Sequence, residues 1–324
     1  VAVYTDITEA DLDPLLSRFG LGAALTFKGI AEGVENSNFF LETESGRYIL
    51  TLYERRVQED DLPFFLDLMH WLAGRGFPCP TPQADRTGTM LQRIREKPAA
   101  LVSFLNGVSV SRPTPRHCRE AGAGLARLHL AGQGFGGRRE NALGHKTWAP
   151  LFGGQEASAD ALQPGLAGDV AADLETLAEA WPQDLPSGVI HADFFPDNVF
   201  FVRGRFAATI DFYFACNDAL AYDVAVCLNS WCFDADHRFK PDHARALLAG
   251  YQAVRPLEAV ERLHLGVLAM GAAMRFFLTR LIDWTSTPSG ALVRPKDPME
   301  YAAKLAFFRD RRSRTALAEL FHDP

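Results

Sequence analysis

A chain of 324 residues, 48% hydrophobic and 23% charged, is long enough to bury a large core and to divide into two lobes. Its formal net charge of −7 argues against a nucleic-acid binder, which needs a basic face. The longest apolar run, Leu265 to Met274, stops at Arg275, well short of the about twenty residues of a membrane span, and no basic segment followed by an apolar core opens the chain. A cytoplasmic protein without membrane or nucleic-acid partners, monomeric or homodimeric, is therefore expected. Cysteines 79, 118, 216, 227 and 232 form no CxxC pair and no Cys/His ligand pattern, which suits reduced, buried thiols.

In chain order, Asp6 to Phe19 reads as an amphipathic helix, capped by Asp6 or Thr8, with Leu12, Leu15, Leu16 and Phe19 on one face. Strands are expected at Leu25 to Ile30, Asn38 to Glu42 and Arg47 to Tyr53, the last two joined by the turn Glu44-Ser45-Gly46. Leu62, Phe65, Leu66, Met69 and Leu72 then recur at helical spacing, and Pro78, Pro80 and Pro82 force an extended connector. A hairpin of Thr89 to Ile94 and Ala99 to Phe104 completes five strands and one helix. From Pro115 onward helices are expected at 116–131, 168–181, 241–254, 256–284 and 298–320, and the Gly/Ala-rich stretch 131–168 looks loosest.

The run His191-Ala-Asp193-Phe-Phe-Pro-Asp197-Asn198, followed by Ile210-Asp211-Phe212, carries the chemistry. Val199 to Val202 and Phe206 to Ile210 read as two strands of a hairpin turning at Arg203-Gly204-Arg205. Antiparallel pairing about Gly204 sets Asn198 opposite Ile210, so Asn198 and Asp211 are expected to meet at the open end of the hairpin, with Asp193 on the loop feeding it. Two oxygen ligands beside a third carboxylate suit magnesium ATP and a hydroxyl to be phosphorylated. The loop 29–37, containing Gly29, Gly33 and Ser37, is neither a P-loop nor a Rossmann fingerprint. Its glycines nonetheless permit close backbone approach to phosphate.

These motifs resemble the aminoglycoside phosphotransferase and choline kinase superfamily. Longer stretches resemble the homoserine kinases built on the same protein-kinase-like fold: Glu32 to Phe39, Tyr48 to Glu54, Asp211 to Phe233 and Met274 to Trp284. The resemblance runs from about residue 3 to residue 320. It implies a two-lobed α+β fold: a five-stranded antiparallel nucleotide-binding lobe with one helix (residues 1–106) and a mainly helical lobe with the catalytic loop and substrate site (107–324). It implies Asp193 as the catalytic base, Asn198 and Asp211 as magnesium ligands, and His191 and Asp223 as structural supports. Gly29, Gly33, Ser37 and Thr51 would face the nucleotide, and hinge backbone at Ser103 to Leu105 would bind adenine. Thr51 departs from the superfamily, which usually places Lys or Arg on the third strand; a hydroxyl donates one hydrogen bond but neutralises no charge. Arg47, Arg55 or Arg56 would have to compensate.

Homoserine asks for a cation, an anion and a route from its hydroxyl to Asp193. Arg275, embedded among apolar residues, is the preferred carboxylate partner over Arg280, with a salt bridge to Asp223 as the alternative use of its charge. Asp197, Asp218 or Asp223 would receive the ammonium, Asn229 and Trp231 would line the pocket, and His129 would brace the core. Two other readings stay open at this point: a kinase of an aminoglycoside, choline or methylthioribose, and a nucleotide-binding regulator without catalysis.

Overall fold

Alternation of apolar and polar residues decides the first part of the fold. The computed structural model describes residues 5, 7–30, 36–54, 58–287, 295–310 and 320. Helix α1 (Glu9–Phe19) starts at Thr8, whose backbone N–H donates to the Asp11 carboxylate at 2.8 Å. It ends at Gly20, where φ of +69° suits a residue without Cβ. Asp6, the other candidate cap, lies outside the described residues. Strands β1 (Ala24–Ile30), β2 (Ser37–Thr43), β3 (Gly46–Leu52), β4 (Leu91–Ile94) and β5 (Lys97–Ser103) make one antiparallel sheet in the order β1-β2-β3-β5-β4. Every second residue of β2 is buried, so Phe39 and Leu41 join Leu12, Leu15 and Leu16 of α1 in one apolar cluster with Leu50 and Leu101. Helix α2 (Leu62–Gly74) buries Leu62, Phe65, Leu66, Leu68, Met69 and Leu72. Residues 1–107, 134–139 and 207–213 form one compact unit, so two short segments from far along the chain cluster with the sheet.

The second unit, residues 108–133, 140–206 and 214–324, is mainly helical. Helices α3 (Pro115–Ala131), α6 (Leu166–Ala180), α8 (Pro241–Gln252) and α9 (Ala259–Ser286) lie within a few residues of their expected bounds. The Gly/Ala-rich stretch is more ordered than expected. It holds α4 (His145–Phe152) and α5 (Glu156–Leu162), because Trp148, Phe152 and Ala159 find buried positions that their sparse spacing does not advertise. Also unforeseen are α7 (Leu220–Trp231) and the antiparallel pair β6 (Ser187–Ile190) with β9 (Cys216–Ala219). α7 is buried almost all round, so it shows no polar face for periodicity to reveal. α10 (Met299–Arg309) occupies the first half of its expected span; residues 311–319 lie outside those described.

Arg275 interrupts the apolar run of the sequence but not the helix, as the expected span 256–284 implies. α9 passes through it for 28 residues and is, by length and composition, apolar enough to cross a membrane. Of its most apolar window, 78% is buried within the protein, and Gly271 is where it meets Trp148 and Trp181. An Arg can sit there because its charge has partners, described below.

The catalytic run is followed by β7 (Val199–Val202) and β8 (Arg205–Thr209), a two-stranded sheet. The turn is two residues, Arg203 (φ +51°) and Gly204 (φ +71°), and β8 starts one residue earlier than expected. Two successive left-handed residues give the turn whose twist matches paired strands.

Candidate active site

The loop carrying Asp193 in the helical unit is held through its backbone groups by side chains of other elements. β6 delivers His191, whose buried ring accepts the Asp193 N–H at Nδ1 (3.3 Å). Ala192 then adopts φ of +60°, a left-handed conformation that costs a residue with Cβ about 1–3 kcal/mol unless neighbours enforce it. Two charged side chains do so. Asp223, fully buried on α7, accepts the N–H groups of His191 (2.7 Å) and Ala192 (2.9 Å). Arg275, 2% exposed on α9, donates through Nη1 to the Ala192 carbonyl. The loop is thus gripped by a carboxylate on its N–H side and a guanidinium on its carbonyl side.

Asp223 is further bound by His129 Nε2 at 3.1 Å, and His129 Nδ1 meets the Tyr251 hydroxyl at 2.8 Å. Burial pushes the Asp223 carboxyl up, but His129, His191 and the backbone donors outweigh it, and its pKa is held below the ordinary value. The expected bracing roles of His129, His191 and Asp223 therefore have a physical basis in these bonds. Arg275 makes no ion pair with Asp223 or with any other carboxylate among the described residues. Its guanidinium lies against the rings of Phe276 (4.5 Å) and Phe214 (5.3 Å) instead.

Asp193 lies partly open, and the Asn198 amide donates both to its carboxylate (3.0 Å) and to its backbone carbonyl (2.9 Å). Asn198 ends the 3-10 turn Pro196–Asn198 immediately before β7. A base candidate and a metal-capable amide are thereby brought together within one unit. Two residues of the expected substrate set stand elsewhere. Trp231 is buried and donates from Nε1 to the Phe194 carbonyl (2.7 Å), so it braces the loop rather than lining an open pocket. Asn229 ties α7 to α9 through the Ala269 carbonyl. Asp197 is the exposed carboxylate of the set, with Lys296 Nζ at 3.9 Å. Asp218 accepts the Asn141 amide at 2.7 Å.

In the sheet unit, Asp211 follows β8 and has φ of +65°, another left-handed residue with a Cβ. Beside it lie two phenols missed in the sequence, the buried Tyr53 and the half-buried Tyr213, their hydroxyls 3.3 Å apart. Burial, foremost, holds the Tyr213 phenol up to about 12, with Asp211 adding to it. Thr51, in the place where a cation is usual, is buried and donates to the Asn38 amide oxygen at 2.8 Å. Of the possible substitutes, Arg47 binds Asn106 and lies over Phe104, while Arg55 and Arg56 lie outside the described residues. Gly29 sits within β1 opposite Phe39, and Gly33 is outside the described residues. Ser37 does not point to an open surface as expected of a phosphate donor. It is fully buried and donates to Glu54 at 2.7 Å, in a network with Thr5 and Lys97. At the hinge, Ser103 and Phe104 commit their N–H groups to the carbonyls of Thr81 and Arg47, while Leu105 beyond the strand is half-buried.

Residues 26–257 match the family model described as "Phosphotransferase enzyme family". The chain belongs to this family. It is 64% identical over 309 residues, 95% of this chain and 96% of the relative, to the homoserine kinase of Phenylobacterium zucineum. Over 312 residues it is 57% identical to the homoserine kinase of Methylobacterium radiotolerans, covering 96% of this chain and 97% of the relative. Among solved structures it is similar to the amicoumacin kinase hAmiN in complex with AMP-PNP, Ca2+ and Ami. The TM-score is 0.68 and the identity 15%, over 96% of this chain and 95% of that one. A choline/ethanolamine kinase family protein from Mesorhizobium loti superposes with a TM-score of 0.61 at 16% identity, over 97% and 98% of the two chains. At such identities the structural likeness fixes the fold: this is the protein-kinase-like architecture of small-molecule phosphotransferases.

Proposed function

We propose that this chain is a homoserine kinase, transferring the γ-phosphoryl group of ATP to the side-chain hydroxyl of L-homoserine to give O-phospho-L-homoserine, a step toward threonine. The observation that carries it is identity of 57–64% to homoserine kinases along nearly the whole chain. Local geometry supports the chemistry. Asp193, partly open and steadied by Asn198, aligns the attacking hydroxyl and accepts its proton as the bond to phosphorus forms and the bond to ADP breaks. Asn198 and Asp211 offer the hard oxygen donors that magnesium prefers, so these two side chains would hold it. Bound there, the ion neutralises phosphate charge. The segment around Gly29 and Gly33 covers the phosphates with backbone N–H groups. The hinge contact to adenine falls to Leu105, since the neighbouring N–H groups are already taken.

The substrate's carboxylate needs a cation on the helical side. Arg275 adds positive charge there but is committed to the loop through the Ala192 carbonyl, which leaves Arg280 of the same helix as the carboxylate's partner. The decisive experiment is ADP release by the purified protein with homoserine, choline, an aminoglycoside and methylthioribose offered separately. Homoserine should give turnover at least about a hundredfold above the others, a discrimination of the size that unmatched buried polar groups impose. Equal or greater turnover on a substrate lacking a carboxylate refutes the assignment, and no turnover on any of them would favour the non-catalytic regulator.

A further inference from the structure

Behind the catalytic loop, α9 and α10 bury more positive charge than they neutralise. Arg275, Arg280 and Lys304 are 2%, 8% and 2% exposed. The carboxylate that pairs with the last two among the described residues is Glu300, which accepts Arg280 Nη1 at 2.6 Å and Lys304 Nζ at 2.5 Å. Burial penalises the Glu300 carboxylate, but Lys304 and Arg280 outweigh it and hold its pKa at about 2, so it is ionised at neutral pH. Among the described residues Arg280 bonds through Nη1 alone, to Glu300 and to the Asp297 carbonyl (3.1 Å). Its other N–H groups remain for a second acceptor. Buried cations in excess of their anions are costly, and an entering carboxylate relieves that cost.

One buried hydroxyl sits among these charges without a bond. Tyr301 is fully buried, and its hydroxyl has no hydrogen-bond partner among the described residues. Arg280 lies 4.5 Å and Lys304 4.2 Å from its ring centre. The cluster leads to the catalytic loop through packed rings: Tyr301 tilted against Phe276 at 5.2 Å, then Phe276 edge-on to Phe195 at 4.9 Å, with Phe195 two residues after Asp193. Burial, foremost, lifts the Tyr301 phenol well above its ordinary value, so it is a donor at neutral pH, and Asp193 and Arg275 are close enough to act on it. A buried donor left unsatisfied is uncommon, and at a site next to the chemistry it points to a ligand.

We propose that Arg280, Tyr301 and Glu300 form the subsite that reads the α-amino and α-carboxylate groups of the substrate. Arg280 and the Tyr301 hydroxyl donate to the carboxylate, and Glu300 faces the ammonium. This rests on the homoserine reading and deepens it: these residues select an amino acid over an amino alcohol. It also explains why the pair is set at two helix positions facing one another. An Arg–Glu ion pair offers both signs of charge at once, as a zwitterion requires.

Tyr301→Phe is the cleanest test. Removing a buried hydroxyl that bonds nothing in the free protein leaves stability unchanged or raised, so any loss of substrate affinity reports a bond made only with substrate. The expected result is a KM for homoserine raised about tenfold, the KM for ATP unchanged and the melting temperature equal or higher. Arg280→Gln should raise the homoserine KM at least about thirtyfold, as truncating one member of a desolvated charge pair does. With 3-aminopropanol, which lacks the carboxylate, wild type and Arg280→Gln should perform alike. Unchanged homoserine KM in folded Tyr301→Phe and Arg280→Gln overturns the subsite while leaving the activity assignment intact. Failure of the wild-type enzyme to phosphorylate homoserine at all would instead remove the assignment beneath it.

Discussion

Asp193, the proposed base, is held by the peptide units around it. Its N–H bonds His191, its carbonyl and carboxylate both accept the Asn198 amide, and the preceding residue is bent into a left-handed conformation. Asp193→Ala should therefore lower turnover by about 100- to 10,000-fold, the usual worth of a positioned base, while nucleotide affinity measured by titration changes only a few-fold. Arg275 belongs to the same scale but acts at one remove, through the Ala192 carbonyl. Arg275→Lys keeps the charge and shortens the reach. It should lower kcat more than it raises the homoserine KM, whereas a residue that only bound the carboxylate would show the reverse split in steady-state kinetics. The residue types of the catalytic run were legible because phosphoryl transfer leaves few alternatives to Asp and Asn at that spacing. The commitment of Arg275 and Trp231 to the loop was not, since both bond backbone carbonyls that no sequence pattern marks.

Where elements cross, glycine sets the distance. At the crossing of α3 and α8, a Cβ on Gly250 would lie 2.0 Å from the Arg119 carbonyl oxygen, and one on Gly122 would lie 2.1 Å from that of Leu247. Both obstacles are backbone, so neither helix can yield without separating. Gly250→Ala is accordingly expected to destabilise the protein by about 3 kcal/mol, the upper end of overpacking costs, read as a lower urea midpoint. This crossing also positions His129 of α3, which steadies Asp223; catalytic loss in that variant should follow loss of fold. Strands were readable from alternation to within two or three residues at either end, and long amphipathic helices nearly as well. Helix α7 and the pair β6–β9 were not, because an element buried on all sides and a four-residue strand both lack a contrasting face.

For the whole molecule, acid stability follows from carboxylates paired inside it, Asp223 buried and Glu300 partly so. Asp223 and Glu300 both have pKa values depressed in the folded state, Glu300 to about 2. A depressed carboxylate contributes stability that is present above its unfolded value and is lost as pH falls toward the folded one. The melting temperature should thus hold steady above about pH 5 and fall between about pH 4.5 and pH 2, the interval between unfolded and folded values. In Glu300→Gln that decline should be shallower, and an identical slope would show that the Arg280 and Lys304 pairing contributes nothing. The five thiols are all buried. Burial raises those of Cys79 and Cys118 to about 12 and those of Cys227 and Cys232 further. An aromatic disulfide reagent should therefore label none of these four at neutral pH until the chain is unfolded.

The strands of the sheet along the chain, the helical second half and a turn about Gly204 were legible in local sequence, as was the candidate trio Asp193, Asn198 and Asp211, since alternation, turn residues and ligand chemistry act over a few neighbours. Tertiary structure alone decided what the buried charges do. A guanidinium among apolar residues announces that it needs a partner but not which one. Only packing brings Arg275 to a loop carbonyl 83 residues away, places Glu300 between Arg280 and Lys304, and leaves the Tyr301 hydroxyl waiting among them.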